Sequence, residues 1–146
     1  MTSEEQFRAQ RIVWMFKKSG AEGDCTKLFE NLPGEAQRML CERAKVRLSE
    51  VPALAHIGSA GGWMLVTNER VVWGTGTAME DLGFSDLADA TVEPRDLPAA
   101  RSKSRLVALT LRAVSGDSHR LELEPGPPFS GIWNALKMMA RRRPAS

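Results

Sequence analysis

The chain has 146 residues, the usual size of one domain and enough to enclose a hydrophobic core. Hydrophobic residues make up 42% and charged residues 26%, which excludes a disordered chain and a small scaffold held together by disulfides. The 20 basic and 18 acidic residues leave a formal net charge of +2, too small to indicate a nucleic-acid or membrane-surface protein.

The first part of the chain, residues 1–50, is predicted to be a helical segment. Capping and terminating residues at its two ends predict a helix over residues 4–19. We expect a second, short helix through Leu28 and Phe29, and a third helix that begins at Pro33 and continues to about Leu48. The apolar cluster of the first helix is too short for a signal sequence or a membrane span, so we expect a cytoplasmic protein.

From Pro52 onward the periodicity changes to that of β-strands. Residues 61–73 are rich in β-branched and aromatic side chains and predict a hairpin that turns at Asn68. A second hairpin is expected where apolar and polar residues alternate, first in residues 107–112 and again in residues 119–124. One face of that hairpin should be buried and the other, which carries Glu122 and Glu124, should lie in water.

A last helix is predicted over residues 129–140, because its apolar residues recur at spacings of three and four. Three arginines follow, where positive charge complements the negative end of the helix dipole. We expect this helix to cover the open side of the preceding sheet. The chain therefore predicts an α+β fold: an N-terminal helical segment over 1–50, then about seven short strands and a C-terminal helix over 51–146.

Residues 51–142 resemble bacterial pleckstrin-homology-like (PH-like) domains. The segment Thr67-Asn68-Glu69-Arg70 followed by Val71-Val72-Trp73 is similar to the family's Thr-Asn-x-Arg turn and the apolar strand after it. Residues 82–87 resemble the short hydrophobic segment that leads into the next strand of the family. The resemblance implies a partly open antiparallel β-barrel that the C-terminal helix caps. Residues 1–50 lie outside it, and their packing stays open.

Catalytic residue types are sparse. His56 and His119 are the only histidines, and His119 shares the strand parity of Leu121, which predicts a position at the edge of the core. Cys25 and Cys41 are too far apart for a CxxC pair, and no further cysteine could complete a zinc site. We therefore expect a protein that is not an enzyme and binds no metal or cofactor.

Our first functional hypothesis is a noncatalytic module that binds a protein or associates with itself. The first helix carries large apolar side chains at several positions around its circumference and should need a partner surface. The residues that we expect at this protein interface are Phe7, Trp14 and Phe16.

The alternative hypothesis is peripheral binding to an anionic membrane through a basic loop over 95–105 and a basic tail over 141–143. The residues concerned are Arg95, Arg101, Lys103, Arg105, Arg141, Arg142 and Arg143, although solvated segments that bind nothing are the simpler interpretation. Phosphoinositide binding does not follow from the resemblance, because residues 56–62 contain no Lys or Arg. We expect no nucleic-acid partner, since the cations lack neighbouring exposed aromatics. A small-ligand protein or an enzyme, with a pocket near His56 or His119, is a weaker alternative.

Overall fold

The computed structural model describes residues 3–75, 78–97 and 105–142. Within them the chain forms an α+β structure with two antiparallel sheets, an N-terminal helix and a C-terminal helix. The helices are α1 (Ser3–Ser19), α2 (Gly34–Ala44) and α3 (Pro127–Arg141). The strands are β1 (Thr26–Leu28), β2 (Pro52–Ile57), β3 (Gly62–Thr67), β4 (Arg70–Thr75), β5 (Ala78–Gly83), β6 (Leu87–Thr91), β7 (Ala108–Ala113) and β8 (Ser118–Glu122).

The strands form two separate sheets and not a closed barrel. One sheet has five strands in the order β1-β2-β3-β4-β5, and the other has three in the order β6-β7-β8. Both hairpins predicted from the sequence are confirmed: Val66 pairs with Val71 across β3 and β4, and Leu109 pairs with Leu121 across β7 and β8.

Strands β2 and β3 and the first half of β4 are buried on both faces of the five-stranded sheet, which explains why residues 63–66 and 71–73 are apolar at successive positions. Its inner face and the three-stranded sheet share a core with α1 and α3. Its outer face packs on α2 in a second, smaller core. The residues of that second core are Leu40, Ala44, Ala55, Trp63, Leu65 and Val72. Neighbouring side chains of one strand therefore enter different cores.

The helix predicted at the C-terminus is confirmed as α3. Ile132 and Leu136 are fully buried, and the indole Nε1 of Trp133 donates a hydrogen bond to the carbonyl oxygen of Ala90 in β6 at 2.9 Å. α3 also packs against α1, where the ring of Phe16 lies over Gly131. A side chain larger than hydrogen at Gly131 would collide with that ring, so the glycine sets how closely the two helices approach.

Two expectations for the first 50 residues are wrong. The segment around Leu28 is the strand β1 followed by a 3₁₀ turn at Phe29–Asn31. Its backbone pairs with β2, and the alternating side chains of Thr26 and Leu28 are both buried, which is the pattern of a strand. α2 ends at Ala44, and Lys45 takes the left-handed conformation with φ of 53°. Leu48 is consequently outside the helix and 98% exposed.

Candidate functional site

The turn that carries the family resemblance is built around a buried ion pair. Arg70 and Glu50 are 4% and 3% exposed. The guanidinium of Arg70 donates to both carboxylate oxygens of Glu50, at 2.8 and 2.9 Å, and to Asp81 at 2.9 Å. Its Nη2 also donates to the carbonyl oxygens of Ala44 and Lys45 at the end of α2. Arg70 thereby ties β4 to the helix on the outer face of the sheet.

The other side chains of the same turn are also used within the fold. The hydroxyl of Thr67 donates to Glu50 at 2.7 Å, and Asn68 accepts a hydrogen bond from the backbone N–H of Val51 at 2.6 Å. Burial raises the pKa of Glu50, but the hydrogen bonds from Arg70, the Arg47 backbone and Thr67 outweigh it and leave that pKa below its ordinary value. We call Glu50, Thr67, Asn68 and Arg70 the Arg70 network; its role is structural.

The exposed face of α1, by contrast, carries two large aromatic side chains that remain more than half exposed. Phe7 and Trp14 are 57% and 55% exposed and lie seven residues apart, on the same side of the helix. They border a groove of about 520 Å³ between α1 and α3. The groove is lined by Phe7, Gln10, Arg11, Trp14, Met15, Met138 and Arg142.

The charge of this groove is positive. Arg11 lies 4.7 Å from the centre of the Phe7 ring, and Lys18 lies 4.9 Å from the centre of the Trp14 ring. Arg142 adds a third cation from the end of α3. No carboxylate is among the described residues that line the groove. Its surface therefore combines apolar rings and methionines with positive charge that no described lining residue neutralises.

The residues predicted for a protein interface separate into two groups. Phe7 and Trp14 lie together at the groove, whereas Phe16 is 1% exposed, so its assignment to an exposed interface is wrong. Phe16 belongs to the buried stripe of α1 with Ala9 and Ile12; Ile12 lies three residues after Ala9, and Phe16 four residues after Ile12. That spacing was present in the sequence and distinguishes Phe16 from the two exposed aromatics.

The predicted basic residues do not form one surface in the part of the chain that is described. Arg142 lines the groove and Arg141 is exposed beside it in the chain. Arg95, in a 3₁₀ turn at Pro94–Asp96, and Arg105 are exposed but do not line the groove. Arg101, Lys103 and Arg143 lie outside the described residues.

A second concave site lies between the two sheets. This cleft, of about 640 Å³, has walls that include His56, Trp73 and Leu121. Nδ1 of His56 lies 3.1 Å from the hydroxyl of Thr26. Burial lowers the pKa of His56, against an opposing effect of Glu124. The imidazole is therefore held neutral over a wider pH range than a solvated histidine.

Glu124 lines the cleft and is bound to the backbone, contrary to the expectation that it lies in water. Its carboxylate accepts hydrogen bonds from the backbone N–H groups of Asp24, Cys25 and Thr26, at 2.8, 2.9 and 3.0 Å. Burial raises the pKa of Glu124, but these hydrogen bonds outweigh it and leave the pKa lowered. Glu122 is exposed as expected. No local signal in the sequence marks Glu124, because its partners are about 100 residues away.

Within residues 3–75, 78–97 and 105–142 there is no group of three or more His, Cys, Asp or Glu side chains that could hold a metal ion. None of the helices described there is both long enough and apolar enough to span a bilayer. No family model matches the chain, and no curated protein matches it.

Proposed function

We propose that this protein is a noncatalytic binding or assembly module of PH-like architecture, which acts in the cytoplasm and engages a protein at the groove between α1 and α3. The partner is either another protein or a second copy of the chain. The PH-like part of the proposal is supported by the order of elements from residue 51 onward, in which seven strands in two antiparallel sheets precede α3.

The observation that carries the proposal is the joint exposure of Phe7 and Trp14 at a concave surface. Full burial of a large apolar side chain contributes about 1.5–3 kcal/mol. Aromatic, methionine and arginine side chains are also the types enriched where proteins meet. The groove offers all three types in one place, so covering it with a protein surface is favourable.

The noncatalytic part rests on how the chemically capable side chains are used. Glu50 and Arg70 hold the sheet to α2, and Glu124 binds the backbone at the start of β1. The groove itself has no histidine, cysteine or carboxylate among its described lining residues. Its side chains suit recognition and not acid–base or nucleophilic chemistry.

The test is photo-crosslinking from inside the groove. A benzophenone amino acid replaces Trp14 in one variant and Leu48 in a control variant, since both side chains are exposed and Leu48 lies outside the groove. We expect a covalent protein adduct after illumination in cells from position 14 and not from position 48. The adduct mass identifies a second copy or another protein. No adduct from position 14, or equal adducts from both positions, would contradict the proposal.

A second candidate function is small-ligand binding in the cleft, which the buried His56 and the cleft volume favour. A fragment library screened by NMR tests it. Fragments that enter the cleft should shift the indole signal of Trp73 and leave that of Trp14 unchanged. If no fragment shifts Trp73, this candidate function is wrong.

A further inference from the structure

We propose that the partner segment at the groove is an amphipathic α-helix with acidic residues along the edges of its apolar stripe. This inference rests on the proposed function, since it names the kind of protein surface that the groove takes.

The charge of the groove selects an acidic partner. Arg11 and Arg142 line it, and Lys18 lies over the ring of Trp14 at its border. The nearest acidic residue of α1 on that side, Glu4, is paired with Arg8 at 3.4 Å. Carboxylates of a partner would therefore meet cations that have no salt bridge to any residue in the described part of the chain, and a basic partner would be repelled.

The two cations also cover the aromatic rings in the free protein. Arg11 stacks on Phe7 and Lys18 on Trp14, each at less than 5 Å from the ring centre. A carboxylate beside either cation offers a charge-assisted hydrogen bond that a ring cannot match. Acidic residues would thus draw the cations aside and leave the rings to the apolar stripe of the partner.

The walls of the groove select a helix over an extended strand. Both walls, α1 and α3, are helices whose backbone hydrogen bonds are internal, so the groove offers no strand edge for β-sheet addition. Recognition must use side chains. Phe7 and Trp14 are seven residues apart, about 10.5 Å along the helix axis at roughly 1.5 Å per residue. Apolar side chains repeated every three and four residues of a partner helix match that spacing.

The shape of the groove favours a protein helix over a membrane. An interfacial helix binds a bilayer with a protruding apolar face, whereas Met15 and Met138 lie with the two aromatics around a concavity of about 520 Å³. Methionine side chains adapt to irregular apolar surfaces, which suits the packing of an inserted side chain. A lipid surface is therefore an alternative outcome of the test.

The experiment measures binding of two synthetic helical peptides to the full chain by fluorescence anisotropy. Both peptides have roughly 18 residues, enough for a marginally stable helix, and the same leucine stripe. One has glutamates along both edges of the stripe and the other has lysines. We expect the glutamate peptide to bind at least about tenfold more tightly than the lysine peptide, with an affinity that falls as salt is added. Equal binding, or tighter binding of the lysine peptide, would overturn the inference.

Matched variants locate the binding. Arg11→Glu combined with Arg142→Glu should weaken binding of the glutamate peptide by about tenfold or more. The control combines Arg95→Glu with Arg105→Glu, which makes the same charge change at exposed positions outside the groove, and should leave the affinity nearly unchanged. Equal losses in both variants would show a nonspecific charge effect and overturn the inference.

The outcomes separate this inference from the proposed function. If a protein is crosslinked at position 14 but the glutamate peptide is not preferred, the groove is a protein-binding site and the inference of an acidic helical partner is wrong. If the chain sediments with phosphatidylserine-containing vesicles in a way that depends on Trp14, and binds neither peptide, the acidic-helix inference is wrong. If no crosslinked protein is found either, the proposed function is wrong as well.

Discussion

The Arg70 network and the groove use similar side chains in opposite ways. Arg70 is buried, and it donates to two carboxylates and to two backbone carbonyls. Arg11 and Arg142 lie at the surface of the groove, which supplies no acidic partner among its described lining residues. A buried charge is tolerated only when its partners are inside the molecule. The Arg70 network therefore holds the fold together, whereas the cations of the groove suit a binding partner outside the molecule.

The largest expected effect comes from breaking the network. Arg70→Met should lower the free energy of unfolding by about 3–5 kcal/mol, because it removes the buried cation of Glu50 and leaves that buried carboxylate only the half-exposed Arg47, whose Nε lies 3.4 Å away. Urea denaturation measures the loss. The control is Arg112→Met, whose side chain is half exposed and pairs with Glu93, and which should cost about 0–1 kcal/mol. Equal costs for the two variants would mean that the network does not differ from a surface ion pair.

The next largest loss of stability is expected where Phe16 of α1 packs on Gly131 of α3. In Gly131→Ala the new Cβ would lie 2.6 Å from the ring of Phe16, too close for any packed side chain, so α1 and α3 must shift apart. Overpacking of this kind costs about 1–3 kcal/mol. The control, Gly34→Ala, brings its Cβ no closer than 3.5 Å to Arg38 and should not destabilise. Calorimetry distinguishes the two, and an unchanged melting temperature for Gly131→Ala would refute close packing of α1 on α3.

These contacts show where sequence reasoning succeeds and where it fails. The hairpin at Asn68 and the helix α3 were predicted because period and turn residues are local signals. The strand β1 was missed because three residues carry little periodicity and its pairing depends on β2 and on the carboxylate of Glu124.

The sequence predicted only part of the candidate site, because the rest depends on contacts between distant segments. Phe7 and Trp14 could be recognised as apolar residues that need a partner, but only the packing of α3 shows that Arg142 joins them. The role of Arg70 depends on Glu50 and on the end of α2, which are 20 or more residues away. Contacts between distant segments leave no pattern in a single sequence.

Acidification should affect the hydrogen-bonded carboxylates of Glu50 and Glu124 and not the groove, whose described lining residues include no carboxylate. The pKa values of Glu50 and Glu124 are lowered from 4.5 in the folded chain, burial being outweighed by hydrogen bonds. The unfolded chain therefore binds protons more readily, and the stability that these groups contribute is present above about pH 4.5 and lost as the pH falls through their folded values.

Substitution of Glu124, which lines the cleft, measures its contribution to stability separately from that of Glu50. Glu124→Gln should be less stable at pH 7 by about 1–3 kcal/mol, as expected when a charged acceptor of backbone hydrogen bonds is lost, and this difference should shrink as the pH falls below 4.5. Glu122→Gln, an exposed control, should match the parent chain throughout. A constant difference between Glu124→Gln and the parent from pH 7 to pH 3 would contradict the assignment.

The smallest expected effect on stability is at the groove. Trp14→Ala should change the free energy of unfolding by no more than about 0.5 kcal/mol, because the side chain is exposed and its only described ring partner is the ammonium of Lys18. Phe16→Ala, two residues further along α1, should cost about 3–5 kcal/mol because that ring is buried. Denaturation of both variants checks the contrast. A large loss of unfolding free energy in Trp14→Ala would mean that this tryptophan stabilises the fold. Its exposure would then no longer support the proposal that the groove binds a partner.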